Sequence, residues 1–110
     1  MINIKNNKIT IQNDVLHFYN IQNLEPAIQK IKNKNIKTII IDFQHIEKID
    51  FRAISNLLYH SYQLKKENYN LEIVNINSDY IKNIFQKLNL NQIFKTKNEN
   101  HKKSLLKGKI

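Results

Sequence analysis

Apolar and polar residues alternate in two rhythms along this chain, and the changes of rhythm mark out its elements. Near the start, Ile9 and Ile11 alternate with polar neighbours, then come Asn13-Asp14 and the apolar positions Val15, Leu16 and Phe18. Asn and Asp tolerate left-handed turn geometry, so this stretch predicts a β-hairpin. From Leu24 the period lengthens, with apolar residues at 24, 27, 28 and 31 and Pro26 in the first turn, where proline is tolerated. A short helix is expected there. Thr38-Ile39-Ile40-Ile41-Asp42-Phe43 is β-branched and apolar at successive positions, the pattern of a central strand covered on both faces.

Asp50 stands where an N-cap belongs, ahead of FRAISNLLYHSYQLKK, a helical stretch of about four turns. Leu71 to Ile76 reads as a further strand, Ser78 as the cap of a helix with Ile81, Ile84, Phe85 and Leu88 on one face, and Ile93-Phe94 as a last short strand. The order ββαβαβα(β) predicts an α/β fold, a mixed β-sheet of four to five strands with helices packed on it. The periodicity ends at Phe94. One domain over residues 1–94 is therefore expected, followed by a basic, flexible tail over 95–110, and residues 96–110 are expected to be removable without unfolding the domain.

Composition narrows the chemistry. A chain of 110 residues, 41% hydrophobic and 25% charged, suits one globular domain. Without Cys there is no disulfide framework, no cysteine-ligated zinc and no cysteine nucleophile, which fits a reducing compartment. The single Gly is Gly108, so phosphate-binding loops that depend on glycine are excluded, and Asn is expected to take glycine's place in turns. No apolar run approaches the ~20 residues of a bilayer span, and MINIKNNKIT lacks the apolar stretch of a signal peptide. A cytoplasmic location is expected. The formal net charge of +9 follows largely from composition, since 20 Ile, 18 Asn and 17 Lys, all with A/T-rich codons, fill half the chain. Six Lys against Glu99 place +5 of that charge on residues 95–110.

Catalytic and metal-binding constellations do not emerge. Asp42, Glu47 and Asp50 lack the close spacing and flexible Gly of a Ca²⁺ or Mg²⁺ loop, and read better as a strand-end acid and an N-cap. His17, His45, His60 and His101 share no ligand spacing and read as surface or border residues. Ser55, Ser61, Ser78 and Ser104 stand in no motif that pairs a hydroxyl with a base. The chain is expected to be a non-enzyme without cofactor, metal or direct nucleotide binding.

The helix after Asp50 is more informative. At 100° per residue, Ile54, Leu57, Leu58, Ser61 and Leu64 gather on the core side. Arg52, Ser55, Asn56, Tyr59, Gln63 and Lys66 gather opposite, with Tyr62 at the border. An exposed Tyr and Arg on one stripe are the residues enriched at interface hot spots, which makes Asp50, Phe51, Arg52, Ser55, Asn56, Tyr59 and Tyr62 the candidate partner-binding set. The plainer alternative is an ordinary surface with one chance tyrosine. Arg52 is the only arginine, and a cation in the first turn of a helix is disfavoured by about 0.3–1 kcal/mol at low salt. Either a partner carboxylate or nearby Asp50 or Glu47 offsets that cost.

The block from Lys37 to Phe94 resembles a STAS domain, the fold of anti-sigma-factor antagonists, of sulphate-transporter cytoplasmic tails and of the small cytoplasmic subunit of the Mla phospholipid-transport ABC system. The resemblance rests on TIIIDFQHIEKIDFRAISNLL, where a strand leads through a short turn to a signature Asp and a helix. It continues through LEIVNI, NSDY and IKNIFQKLNLNQIF. At the two positions after the signature Asp, where switching members hold a phosphorylatable Ser or Thr, this chain has Phe51 and Arg52, and Ala53 and Ile54 replace the Gly-Leu pair. The resemblance therefore implies a constitutive docking module whose partner is the ATPase of an ABC lipid transporter, with membrane association only through that complex. An anti-sigma-factor antagonist is the first rival. The second is a basic nucleic-acid-binding domain, disfavoured because Tyr59, Tyr62, Lys65 and Lys66 form the only interleaved aromatic and basic cluster.

Overall fold

A computed structural model describes residues 2–99. The strands are β1 (Ile2–Lys5), β2 (Lys8–Ile11), β3 (Val15–Leu16), β4 (Thr38–Asp42), β5 (Lys48–Ile49), β6 (Asn70–Val74) and β7 (Lys95–Lys97). The helices are α1 (Phe18–Ile21), α2 (Leu24–Asn33), α3 (Phe51–Lys66) and α4 (Asp79–Lys87), with a 3₁₀ turn at Leu90–Gln92. The main sheet runs β1-β2-β4-β6-β7, antiparallel between β1 and β2 and parallel elsewhere. This is the expected mixed-sheet α/β fold. The connections through α2, α3 and α4 all step across the sheet in the same direction, and right-handed crossovers of that kind place the helices on one face.

Strand alternation aims Ile9, Ile11, Ile39, Ile41, Leu71 and Ile73 at those helices, where they meet Leu24, Ile28, Ile31, Ile54, Leu57, Leu64, Ile81 and Phe85 in one core. β4 is central in strand order, as expected, but its burial alternates: Thr38 and Ile40, on the face away from the helices, are only half-buried. Five described residues have positive φ, from 55° to 66°: Asn6, Asn35, Asn68, Asn75 and Asn89, and all are asparagine. The expected substitution of Asn for Gly in turns holds among the described residues; of the non-glycine residues, Asn is among those that enter this region most readily.

Two elements differ from the expected order. The hairpin turns at Asn6-Asn7, not Asn13-Asp14, and joins β1 to β2. Val15-Leu16 instead pairs in parallel with Lys48-Ile49, and Phe18 opens a one-turn helix. His17 caps that helix, its Nδ1 accepting from the N–H of Tyr19 at 3.2 Å while its own N–H donates to Asn20 Oδ1 at 2.8 Å. At the other end the sheet continues past the expected limit at Phe94. Ile93-Phe94 closes the 3₁₀ turn, and the strand is Lys95–Lys97, paired with β6.

Asn75 locks that last strand in place. Its N–H donates to the Lys97 carbonyl at 2.8 Å, its Oδ1 accepts from the Glu99 N–H at 2.9 Å, and its Nδ2 donates to Asp42 at 3.2 Å. Glu99 in turn pairs with Lys8 on β2 at 2.7 Å. Four strand ends are thereby tied together by a chain segment assigned from sequence to the tail. The rest of that expected tail, residues 100–110, lies outside the described residues.

Candidate functional site

The starts of α1 and α3 are brought side by side by the two-stranded β3–β5 ladder, in which Val15 faces Lys48 and Leu16 faces Ile49. Asp50 closes this junction. Its Oδ1 accepts from the Ala53 N–H at 2.8 Å, the N-cap of α3, while its Oδ2 accepts from the Phe18 N–H at 3.3 Å at the first residue of α1. Its own N–H donates to the Leu16 carbonyl at 3.0 Å. Both carboxylate oxygens are thus turned inward, so Asp50 organises the surface through its neighbours.

Phe51 and Arg52 occupy the first two helical positions, and both are exposed, Phe51 at 74%. The Arg52 guanidinium lies 5.1 Å from the centroid of the Phe18 ring. A cation over an aromatic face gains about 0.5–1 kcal/mol at an exposed site, comparable to the helix-dipole cost. Among the described residues Arg52 makes no ion pair, so the offset expected from Asp50 or Glu47 comes instead from Phe18.

A shallow cavity of about 370 Å³ is lined by Phe18, Phe51, Arg52, Ser55 and Asn56. The structure therefore assembles four of the seven expected residues around one depression, and Asp50 bonds to the backbone at the starts of the two helices that carry them. Tyr59, one turn further on, is exposed at 58% and borders a second groove between α2 and α3. Tyr62 is exposed but stands outside the cavity, with the Lys66 ammonium 5.2 Å from its ring centroid. The structure adds Phe18, which the sequence pattern put in the hairpin, and Tyr19, which is 79% exposed and packed edge-on to Phe18. Several large apolar side chains contiguous on a surface otherwise rich in Lys and Asn are a mark of association.

The core stripe of α3 is Ala53, Ile54, Leu57, His60 and Leu64, with Leu58 and Ser61 half-buried. His60 is a correction to its reading as a surface or border residue: it is buried, against the ring of Tyr59. Burial pushes its pKa below the ordinary 6.5, against a smaller upward pull from the Glu25 carboxylate. Glu99 is held below its ordinary 4.5, first by the Lys8 hydrogen bond, with burial opposing. Unfolded His60 takes up a proton at a higher pH than folded His60, so its contribution to stability is intact above pH 6.5 and is lost as pH falls through the folded value. Glu99 loses its contribution only below pH 4.5. Melting temperature should accordingly fall in two windows on acidification. His60→Gln is expected to flatten the upper window and leave the lower one, as melts across pH 7.5 to 3.5 will show.

Among the described residues, no three His, Cys, Asp or Glu side chains gather as a metal site requires, and no helix is long and apolar enough to cross a membrane. A five-stranded main sheet with helices on one face and a two-stranded ladder beside it, presenting an aromatic and arginine surface at a helix junction, defines a small α/β binding module. The model of the STAS domain family matches residues 5–103, so the chain belongs to the STAS family. The match runs past Phe94, as the sheet does. Among curated proteins, nothing matches the chain. STAS domains mediate protein–protein interactions and are generally binding modules without catalysis.

Proposed function

We propose that this chain is a constitutive docking subunit which uses the α1–α3 surface to bind and regulate the ATPase of an ABC phospholipid transporter at the cytoplasmic side of the membrane. The observation that carries this reading is the exposed cluster of Phe18, Tyr19, Phe51 and Arg52 at the junction organised by Asp50. Phosphorylation-switched STAS domains carry a hydroxyl directly after the signature Asp; here those two positions hold an exposed aromatic ring and a cation. Such a surface is ready to dock without modification.

Co-expression with the ABC ATPases of the same genome tests it, with one stable complex as the expected result. In that complex, Tyr59→Ala and Arg52→Glu should each weaken binding by about 2 kcal/mol or more, the size of a hot-spot effect. Their melts should stay within about 0.5 kcal/mol of the parent, because both side chains are exposed and neither serves as a cap. A complex with a sigma-factor-binding kinase in place of an ATPase would move the protein to the anti-sigma-antagonist branch. Tight, steeply salt-dependent binding to oligonucleotides would move it to nucleic acid.

A further inference from the structure

Composition accounts for the size of the positive charge but not for its placement. Lys30 and Lys32 stand in the last turn of α2 and Lys34 at its C-cap, and Lys65 and Lys66 stand in the last turn of α3. An ion pair between Lys32 and Glu67 at 2.7 Å brings these two helix ends together. Lys37 joins them, its ammonium 4.4 Å from the centroid of the Tyr69 ring, and Lys32 lies 5.4 Å from the same centroid. The β1–β2 turn, which carries Lys5, reaches this end of the molecule too, where Asn7 Nδ2 donates to the Thr38 carbonyl at 2.8 Å. Seven lysines therefore share one pole with a single acid, Glu67, while the other seven basic and eight acidic described residues nearly cancel. Helix chemistry explains only part of this: each helix C-terminus carries about −0.5 charge, so two ends and Glu67 together answer roughly two of the seven lysines. Lys5, Lys30, Lys34 and Lys65 are exposed and make no ion pair among the described residues. From the Asp50 cap to Lys66, the 16 residues of α3 at about 1.5 Å each put roughly 24 Å between this pole and the docking surface.

We infer that this lysine pole rests against the anionic phospholipid headgroups of a membrane, in a peripheral contact held by charge. The inference goes beyond the docking reading and does not depend on which protein occupies the α1–α3 surface; it adds a direct lipid contact at the opposite end of α3. Two features favour a lipid surface over nucleic acid. The pole holds lysines alone, and the one arginine, Arg52, stands at the far end of α3. Lysines are point charges suited to the diffuse field of an anionic bilayer, whereas reading a base edge or clamping one phosphate calls on the guanidinium fork. The pole also offers no clean platform for stacking bases: Tyr69 is half-buried with Lys37 over its ring, and the ring of Tyr62 has Lys66 at 5.2 Å. Each lysine that reaches an anionic surface raises binding by about fivefold, so even four of them make a measurable contact.

The test is sedimentation of the full chain with vesicles of phosphatidylcholine alone and of phosphatidylcholine and phosphatidylglycerol in equal parts. Two variants of equal net charge separate position from total charge: one combines Lys30→Gln, Lys34→Gln, Lys65→Gln and Lys66→Gln, the other Lys102→Gln, Lys103→Gln, Lys107→Gln and Lys109→Gln. The parent should bind the anionic vesicles only, and salt raised to about 0.5 M should release it. The pole variant should bind at least tenfold more weakly than the parent and the second variant within about threefold of it. On the parent chain itself, which needs no substitution to fold, anionic vesicles should shield Lys30, Lys34, Lys65 and Lys66 from a trace of amine-reactive label while Lys48 and Lys82 stay open to it. No binding to the anionic vesicles, equal losses in the two variants, or shielding of Lys48 and Lys82 instead would overturn the inference. So would tighter binding to a duplex oligonucleotide than to the vesicles, which would assign the pole to nucleic acid. Its failure is separable from that of the docking reading, because Tyr59→Ala, defective in partner binding, should bind the vesicles as the parent does.

Discussion

Asp50→Ala should lower stability by about 2–3 kcal/mol, and lower partner affinity beyond what that loss explains. The carboxylate serves two helix starts at once, capping α3 through Ala53 and holding α1 through Phe18. Loss of an N-cap alone costs about 0.5–2 kcal/mol, and a hydrogen bond to a charged acceptor adds about 1.5–3 kcal/mol before relaxation and water recover part of the sum. For a domain of this size the melting temperature should drop by roughly 10–20 °C. Asp50→Asn keeps an oxygen for the α3 cap but presents an NH₂ group to the Phe18 N–H, so it should lose only part of the stability. The distinctive consequence lies at the surface: with α1 released, Phe18 no longer lies under Arg52, and docking should fail even at temperatures where the domain remains folded. Urea melts of both variants beside their ATPase affinities will check this.

A chain ending at Phe94 should be less stable than one ending at Glu99 by about 3 kcal/mol or more, roughly 10–20 °C in melting temperature. This reverses the expectation drawn from periodicity, which made everything after residue 95 dispensable. Removing Lys95–Glu99 strips an edge strand from β6, frees the Asn75 N–H, and leaves the buried Asn75 side chain without Glu99. Asp42, 2% exposed, then depends on Gln44 and an unsupported Asn75 for its hydrogen bonds. Buried polar groups stripped of partners are among the few causes of losses this large. Equal melting temperatures for the two chains would show that β7 is ornamental to the domain.

The elements legible in the sequence were those whose apolar period is set by one packed face. β2, β4 and β6 and the helices α2, α3 and α4 all lie against the single core; β2 and the helices show their periods of two and 3.6, and β4 and β6 show as short apolar, β-branched runs. β7 left no such trace, because Lys95-Thr96-Lys97 is a polar edge strand whose lysines lean on Glu72 at 4.0 and 3.6 Å. The misplaced hairpin has a different cause. Asn6-Asn7 and Asn13-Asp14 are equally good local turns, and the choice is made by the distant pairing of Val15-Leu16 with Lys48-Ile49, which no local pattern encodes. That error hid half of the surface, since Phe18 was assigned to a strand while in fact it begins α1 under a histidine cap. On α3 the helical wheel places Arg52, Ser55, Tyr59 and Lys66 outward, as the structure has them, because 16 residues fix the phase well. His60 was misjudged because residue type outweighed its position four residues before Leu64 on the buried stripe.

The most direct test is the footprint of the partner on this chain. With the ATPase added to isotope-labelled protein, amide signals of Phe18, Tyr19, Phe51, Arg52, Ser55 and Tyr59 should shift or broaden, while those of β1 and α4 stay in place. A footprint on α4 and β7, with the α1–α3 junction unmoved, would contradict the account.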